Sequence, residues 1–288
     1  MSGETVSQWY NDHVELEDKR LILGRLEYEV TLHYIREAID CIQRQEGHTN
    51  PLKIADIGCG TGVYAIPLVR AGHHLSISDI SPSSVHLAHQ KARAAGLRFT
   101  TTFSLDARCL RYHAEIYKPA HYDIVLLLGP VYHILSGPDR SDVLLAGLET
   151  VKPGGFMLAA FVTKNAHLRD VATRDPERLH TEWGFYEGYL RDGRYARGGK
   201  APMWHGTIGE IRGLIEGLQR AGGEKGVESE VLKLVSCEGF LGFGHASHLA
   251  SLGEEAFERW LGVVLESAAD DTTLGAADHV LAVIRRTK

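Results

Sequence analysis

The stretch LKIADIGCGTG, residues 52–62, decides the fold. Its first half is a short apolar run of the kind that forms a strand buried on both faces of a parallel sheet. Its second half spaces three glycines, Gly58, Gly60 and Gly62, two residues apart. Glycine adopts left-handed backbone conformations without a steric penalty and lets a ligand approach the main chain. A helix is predicted to follow over 61–71, where Pro67 falls early enough to be tolerated. Such a turn lies at the carboxyl edge of an open α/β sheet, where ligands bind, and the following helix brings free N–H groups and positive potential. The geometry suits a dinucleotide pyrophosphate or the carboxylate end of an amino-acid-like cofactor.

Working outward, residues 74–80 (HLSISDI) form a second predicted strand. Ser81-Pro82 then reads as an N-cap followed by proline at the first helical position. That helix runs through Val85, Ala88, Ala92 and Ala95 and closes at Gly96. Further strands are predicted at 98–107, at 121–130 (the most apolar, hence central) and at 156–162, with a helix over 139–151. Upstream, apolar residues recur every three or four positions over 14–45, as one long helix or two joined near Gly24, ended by 47–51. Beyond Val162 the rhythm breaks. Residues 164–205 are rich in Gly, Arg and aromatics without a clean period and read as an inserted cap. A sixth helix (207–223), a strand (230–240), a second helical insertion (241–278) and a last strand (279–286) complete the chain. Strands alternating with helices predict an α/β, doubly wound, mostly parallel sheet. The organisation expected is an N-terminal helical lid over 1–48 and a ligand-binding domain over 49–288.

Composition narrows the function. The chain of 288 residues is 44% apolar and 24% charged, ordinary for a protein with a full-sized core. A net charge of −6 weighs against nucleic acid as a partner. The strongly basic stretch, GYLRDGRYARGGK at 188–200, reads as a solvated cap surface, with phosphate binding as the alternative. Cys41, Cys59, Cys109 and Cys237 form no C-x-x-C pair and no metal spacing. The N-terminus lacks the apolar core of a signal peptide, and no apolar run reaches the ~20 residues a bilayer requires. A cytoplasmic protein with reduced thiols and no membrane partner is expected; the sequence is silent on oligomeric state.

Two acids sharpen the ligand. Asp79 ends the second strand, where a carboxylate accepts from both ribose hydroxyls. Asp106 ends the third, where it can accept from an adenine amino group or simply cap a helix. The dinucleotide fingerprint G-x-G-x-x-G wants its third glycine at position 63, which is Val63 here. DIGCGTG (56–62), SDISP (78–82), LDA (105–107), YDIVLLLGPVYH (122–133) and VKPGG (151–155) occur in that order. Together they resemble the class I S-adenosylmethionine-dependent methyltransferases of the small-molecule branch, well over roughly 50–165.

The resemblance implies a Rossmann-like, seven-stranded sheet closed by two further strands, the last antiparallel. It implies S-adenosyl-L-methionine as cofactor, with Gly58, Cys59 and Gly60 along the methionine part, Asp79 on the ribose and Ile80 against the adenine. Asp106 and Ala107 would flank the adenine edge, with Leu128 and Gly129 beside the sulfonium. Asp56 would brace the loop or reach the methionine amino group. Tyr10 is the N-terminal tyrosine expected to close over the cofactor. The chemistry implied is in-line methyl transfer, in which the protein supplies alignment and exclusion of water.

Tyr132 and His133 follow the fourth strand and are the candidate catalytic residues. His133 would take the acceptor's proton or hold the loop by hydrogen bonding. Trp9, Tyr10, Arg20, Arg25 and Tyr28, with the aromatics of 183–204, supply material for a lid; those aromatics line a substrate pocket or form the cap's own core. His86/His89 and His245/His248 lack companions at ligand spacing, so no metal is expected. The place of an N-P-P-Y signature reads G-P-V-Y, which points to a small metabolite rather than a flipped base. The competing function is a protein of the same fold that binds the cofactor without methyl transfer, cyclase-like or regulatory.

Overall fold

The computed structural model describes residues 3–197, 199–242 and 248–288, without the side chains of residues 3, 4 and 19–23. Three helices open the chain: α1 (Gly3–Asp12), α2 (Val14–Leu23) and α3 (Arg25–Glu46). The predicted helix over 14–45 is thus two, broken at Gly24. On α3, Leu26, Val30, Tyr34, Ala38 and Ile42 are buried at four-residue intervals, one stripe facing the sheet. Gly47 ends it in the left-handed conformation, its N–H returning to the Gln43 carbonyl.

The main sheet is built from β1 (Lys53–Ile57), β2 (His74–Asp79), β3 (Thr101–Ser104), β4 (Tyr122–Leu127), β5 (Val151–Thr163), β8 (Ser229–Ser236) and β9 (His279–Arg286). Their order is β3-β2-β1-β4-β5-β9-β8, parallel from β3 to β5. Strand β9 runs antiparallel between β5 and β8. This is the predicted doubly wound topology, with α4 (Ala65–Arg70), α5 (Pro82–Ala94), α6 (Gly137–Thr150) and α10 (Ile208–Glu224) as connections. Successive residues of β4 feed opposite cores: Ile124 and Leu126 pack with α3 and α4, Val125 and Leu127 with α6 and α10. That is why this strand reads as continuously apolar.

The sheet has nine strands rather than seven. The segment 164–205, read as an inserted cap without a clean period, forms α7 (Lys164–Arg174), α8 (Glu177–Thr181), α9 (Trp183–Asp192) and a hairpin of β6 (Arg194–Tyr195) with β7 (Met203–Gly206). β7 pairs with Val162 and Thr163 of β5, past the point where β4 stops at Ala159. These elements are too short for periodicity to show. Their apolar residues Val171, Tyr186, Tyr189 and Tyr195 meet one another in a separate small core, so the cap-core alternative accounts for these aromatics. β3 is shorter than predicted, and Asp106 lies beyond its end at the start of a 3-10 turn, Ala107–Tyr112.

After β1 the chain winds outward to β2 and β3, then returns across β1 to β4. The sheet therefore has its topological switch point between β1 and β4, where a crevice opens outside the carboxyl ends of the strands.

Candidate functional site

The glycine turn builds the floor of that crevice. Gly58 and Cys59 donate their N–H groups to the Ser78 carbonyl at 2.7 and 3.0 Å, tying the turn to the end of β2. Gly58, Gly60 and Gly62 all have positive φ. They do different work. A Cβ on Gly58 would lie 2.6 Å from Pro130 Cδ, so the ends of β1 and β4 come this close only because the side chain is missing. A Cβ on Gly62 would lie 3.1 Å from the Ala88 methyl, so this glycine serves the packing of α5.

A cavity of about 260 Å³ opens above the turn. All of Tyr10, Asp56, Gly58, Cys59, Gly60, Asp79, Ile80, Asp106, Ala107, Leu128, Gly129, Tyr132 and His133 line it.

The acids divide into distinct roles. Asp79 is buried, with Oδ2 accepting from Gly60 N–H and Oδ1 from Ser81 N–H, both at 2.8 Å. It braces the turn as well as facing the cavity. Asp56 takes no hydrogen bond from the turn, and its buried Oδ2 has no partner among the described residues. An orphaned carboxylate oxygen in a cavity wall fits an ammonium group of a ligand. Burial first, and the Asp79 charge second, push the Asp56 carboxyl up to about 7. Burial also raises Asp79, against the pull of its two N–H donors. The Cys59 thiol, raised by burial and by both acids, stays protonated. Asp106 accepts from Arg108 N–H at 3.0 Å and from Arg108 Nη2 at 2.5 Å, so its lone pairs largely serve the cap and that ion pair.

The Asp56 shift has a measurable consequence. A carboxyl whose folded-state pKa lies above its unfolded value stabilises the fold fully only below the unfolded pKa, and this is lost as pH rises to the folded pKa. The ligand-free protein should lose stability from this group between about pH 4 and about pH 7. Asp56→Asn should flatten that part of the profile, becoming relatively more stable than the parent toward pH 8. Parallel thermal-denaturation profiles would contradict the burial of Asp56.

The N-terminal helices sit across the crevice. Ser7 Oγ donates to the Ile80 carbonyl at 3.0 Å, and Asn11 Oδ1 accepts from Ser81 Oγ at 2.7 Å. Asp18 Oδ1 accepts from Thr61 Oγ1 at 2.6 Å and from Lys91 Nζ. Tyr28 stacks on Tyr64, which lines the cavity. Arg25 lies elsewhere, paired with Glu254 over the Phe257 ring. The Arg20 side chain falls outside the described residues. Helix α1 falls within the helical lid expected over 1–48 but ahead of the periodic pattern read from residue 14; its own signal was the pair Val6 and Tyr10, four apart, both lining the cavity.

At the far end His133 stands between two partners. Its Nδ1 lies 2.8 Å from the Pro202 carbonyl oxygen, which can only accept, so Nδ1 carries the proton. In that neutral tautomer Nε2 accepts from the Tyr10 hydroxyl at 2.7 Å. The pair joins the predicted base to the predicted lid tyrosine, and both line the cavity. Ile134, Ser136, Arg194 and Pro202 complete this end. Only Arg194 had a sequence signal, as part of the basic stretch; Pro202 had none. Of the histidine pairs, His86 contacts Gln90 and His245 lies outside the described residues. Glu27, Glu238 and His279 approach one another, but Glu238 already accepts from two backbone N–H groups and from His279 Nδ1 at 2.7 Å.

Residues 54–155 match a family described as a methyltransferase domain. Over 135 residues the chain is 28% identical to a ubiquinone biosynthesis O-methyltransferase of Leptothrix cholodnii, covering 46% of this chain and 54% of that protein. The Yersinia pestis protein of the same name is 27% identical over 57% of this chain and 67% of its own length. The chain thus spans 43% to 67% of the length of the curated relatives it matches. A Synechocystis magnesium protoporphyrin IX methyltransferase, crystallised with S-adenosylhomocysteine, superimposes with a TM-score of 0.56 at 14% identity over 99% of both chains. A Thermotoga maritima S-adenosylmethionine-dependent methyltransferase gives 0.54 at 17% identity, covering 98% of this chain and 99% of its own. No helix among the described residues is long and apolar enough to cross a membrane.

Proposed function

We propose that this class I S-adenosylmethionine-dependent methyltransferase fold transfers a methyl group to a small organic acceptor in the cavity beneath α1. The observation that carries the reading is the pair of buried acids, Asp56 and Asp79, at a glycine turn. Neither has a cationic partner among the described residues. Buried acids left in this state call for a cationic ligand. An amino-acid-like nucleoside fits: its ammonium at Asp56, its chain along Gly58 to Gly60, its ribose at Asp79, and its base beside Ile80, Ala107 and the exposed edge of Asp106. When bound, the cofactor supplies the activated methyl group.

The chain's own part is placement and proton handling. Leu128, Gly129 and Tyr132 border the space where donor and acceptor would meet, and α1 excludes water above it, which makes the N-terminal helices the lid of the site. Relatives named as O-methyltransferases support an oxygen acceptor, which arrives protonated and gives a base something to remove. His133, held with Nε2 toward Tyr10, would take that proton through the tyrosine hydroxyl or directly once Tyr10 shifts. The Tyr132 ring, buried beside it, is read as a wall.

The test is isothermal titration with S-adenosylhomocysteine, followed by release of that product from labelled cofactor across small hydroxylated, amino and thiol acceptors. Tight binding with turnover is the expected result. Binding without turnover on any acceptor class would favour the non-transferring alternative, and absent binding would remove the reading. His133→Ala should lower kcat by about 100- to 10,000-fold, with S-adenosylhomocysteine affinity kept. Tyr10→Phe should lower kcat less and raise the KM for the cofactor. Unchanged turnover in His133→Ala would leave that residue as scaffolding.

A further inference from the structure

The hairpin β6–β7 carries the basic stretch of the sequence to the acceptor end of the cavity. Pro202, beside β7, holds His133 through its carbonyl. Arg194 on β6 pairs across the hairpin with Trp204 and lines the same cavity at its mouth. Among the described residues its guanidinium has no hydrogen bond or ion pair; Asp192 takes only its backbone N–H. Arg197, three residues on, is by contrast paired with Glu182.

A second cation stands behind the first. Arg140, 8% exposed, lies with its guanidinium 3.9 Å from the centre of the Trp204 ring, on the residue opposite Arg194. It donates to the Ile134 carbonyl at 2.7 Å, has no carboxylate partner among the described residues, and its Nε is buried without one. Burial first, and Arg194 second, pull it down to about 10. The acid nearest in effect, Glu210, is already held by Lys164 at 3.0 Å and by Thr207 N–H at 2.7 Å. Of the acids that line the cavity, Asp106 is bound to Arg108, while Asp139, which also acts on Arg108, has no side-chain hydrogen bond or ion pair among the described residues. Asp56 and Asp79 sit at the glycine turn, and Glu17 comes from α2. Arg194 on the lining, with Arg140 behind it against Trp204, therefore adds positive charge at the hairpin side of the cavity. A cavity-lining guanidinium with no carboxylate partner is open to pair with one brought by a ligand.

We propose that the acceptor carries a carboxylate, and that Arg194 receives it as the specificity-determining residue, with Arg140 reinforcing the field from behind. The proposal rests on the methyl-transfer reading above. One guanidinium fork matches one planar carboxylate. A dianionic phosphate would leave charge unmatched with a single free guanidinium at the cavity mouth. The carboxylate is a handle; the methyl is received at a second group of the acceptor, near Tyr10 and His133.

The experiment uses the whole chain saturated with S-adenosylhomocysteine. Matched probes are titrated calorimetrically: hydroxybenzoates and short hydroxyacids, each beside its primary amide and its phosphate counterpart. Carboxylates should bind at least about tenfold more tightly than their amides, with the preference shrinking as salt rises from about 0.05 to about 0.3 M. Arg194→Gln should erase the preference by weakening carboxylates about tenfold or more while leaving amides unchanged. Its melting temperature should stay near the parent value because Arg194 is exposed. Arg194→Lys should recover part of the affinity. Equal binding of acids and amides, tighter binding of phosphates, no binding of any acid, or an unchanged profile in Arg194→Gln would each overturn the proposal. Loss of S-adenosylhomocysteine binding itself would instead sink the methyl-transfer reading, so the two failures are distinguishable.

Discussion

Gly58→Val should yield a protein that no longer binds S-adenosylhomocysteine measurably and melts well below the parent. Two costs add. At φ +80° a residue with a Cβ is held in a conformation that costs about 1–2 kcal/mol. The new Cβ would then press on Pro130 at 2.6 Å, with the Pro130 nitrogen only 3.3 Å away, so the ring cannot swing clear without moving the backbone. Forced overpacking of this kind costs about 1–3 kcal/mol. Together these predict about 2–5 kcal/mol of destabilisation, together with a crevice narrowed between β1 and β4. Gly72→Ala is the control: its φ is +96°, yet a Cβ there meets nothing within 4 Å. It should show the conformational cost alone and keep its affinity. Near-parental binding by Gly58→Val would mean that the ligand does not lie where β1 and β4 converge.

Asp79→Ala should fail in two measurable ways at once. The carboxylate carries a ligand role read from the sequence and a bracing role seen in its bonds to Gly60 and Ser81. Each hydrogen bond to a charged group is worth about 1.5–3 kcal/mol, and truncation leaves two N–H groups without their acceptor. Relief of a buried charge offsets part of this, since burial disfavours the ionised form. A net loss of about 1–3 kcal/mol in stability is expected, alongside a similar loss in affinity, roughly 5- to 150-fold. Asp79→Asn keeps one acceptor but sets an amide NH₂ against the other N–H, so it should rescue stability only in part. Calorimetry with S-adenosylhomocysteine and thermal denaturation separate the roles. Unchanged affinity would remove the ribose assignment, and an unchanged melting temperature would remove the brace.

Both predictions concern residues visible in the chain before any coordinates, and the reason is local. A strand followed by a glycine turn and a helix is specified within about a dozen residues by hydrophobic run length, positive-φ positions and caps. Gly58, Asp79 and the Ser81-Pro82 helix start are of this kind. Asp106 shows the limit of such reading. Position placed it at the cavity, but its partner Arg108, two residues on, is what determines where its lone pairs point. Short elements escaped as well: α7 to α9 and the β6–β7 hairpin carry too few residues for a period to emerge; Phe185, Tyr186, Tyr189 and Tyr195 turned out to pack on one another, while Trp204 joins a main core.

The doubly wound sheet, its glycine turn and its pair of acids follow from the order of residues, because each depends on neighbours close along the chain. The junction of Tyr10, His133 and Pro202 does not, nor does the stacking of Arg140 on Trp204 beside Arg194. These groups come from segments up to nearly two hundred residues apart, such as Tyr10 and Pro202, and meet only when α1 and the inserted hairpin close on the same strand ends. Burial and partnership then set whether a side chain is a charge, a donor or a wall, and those are properties of the packed molecule.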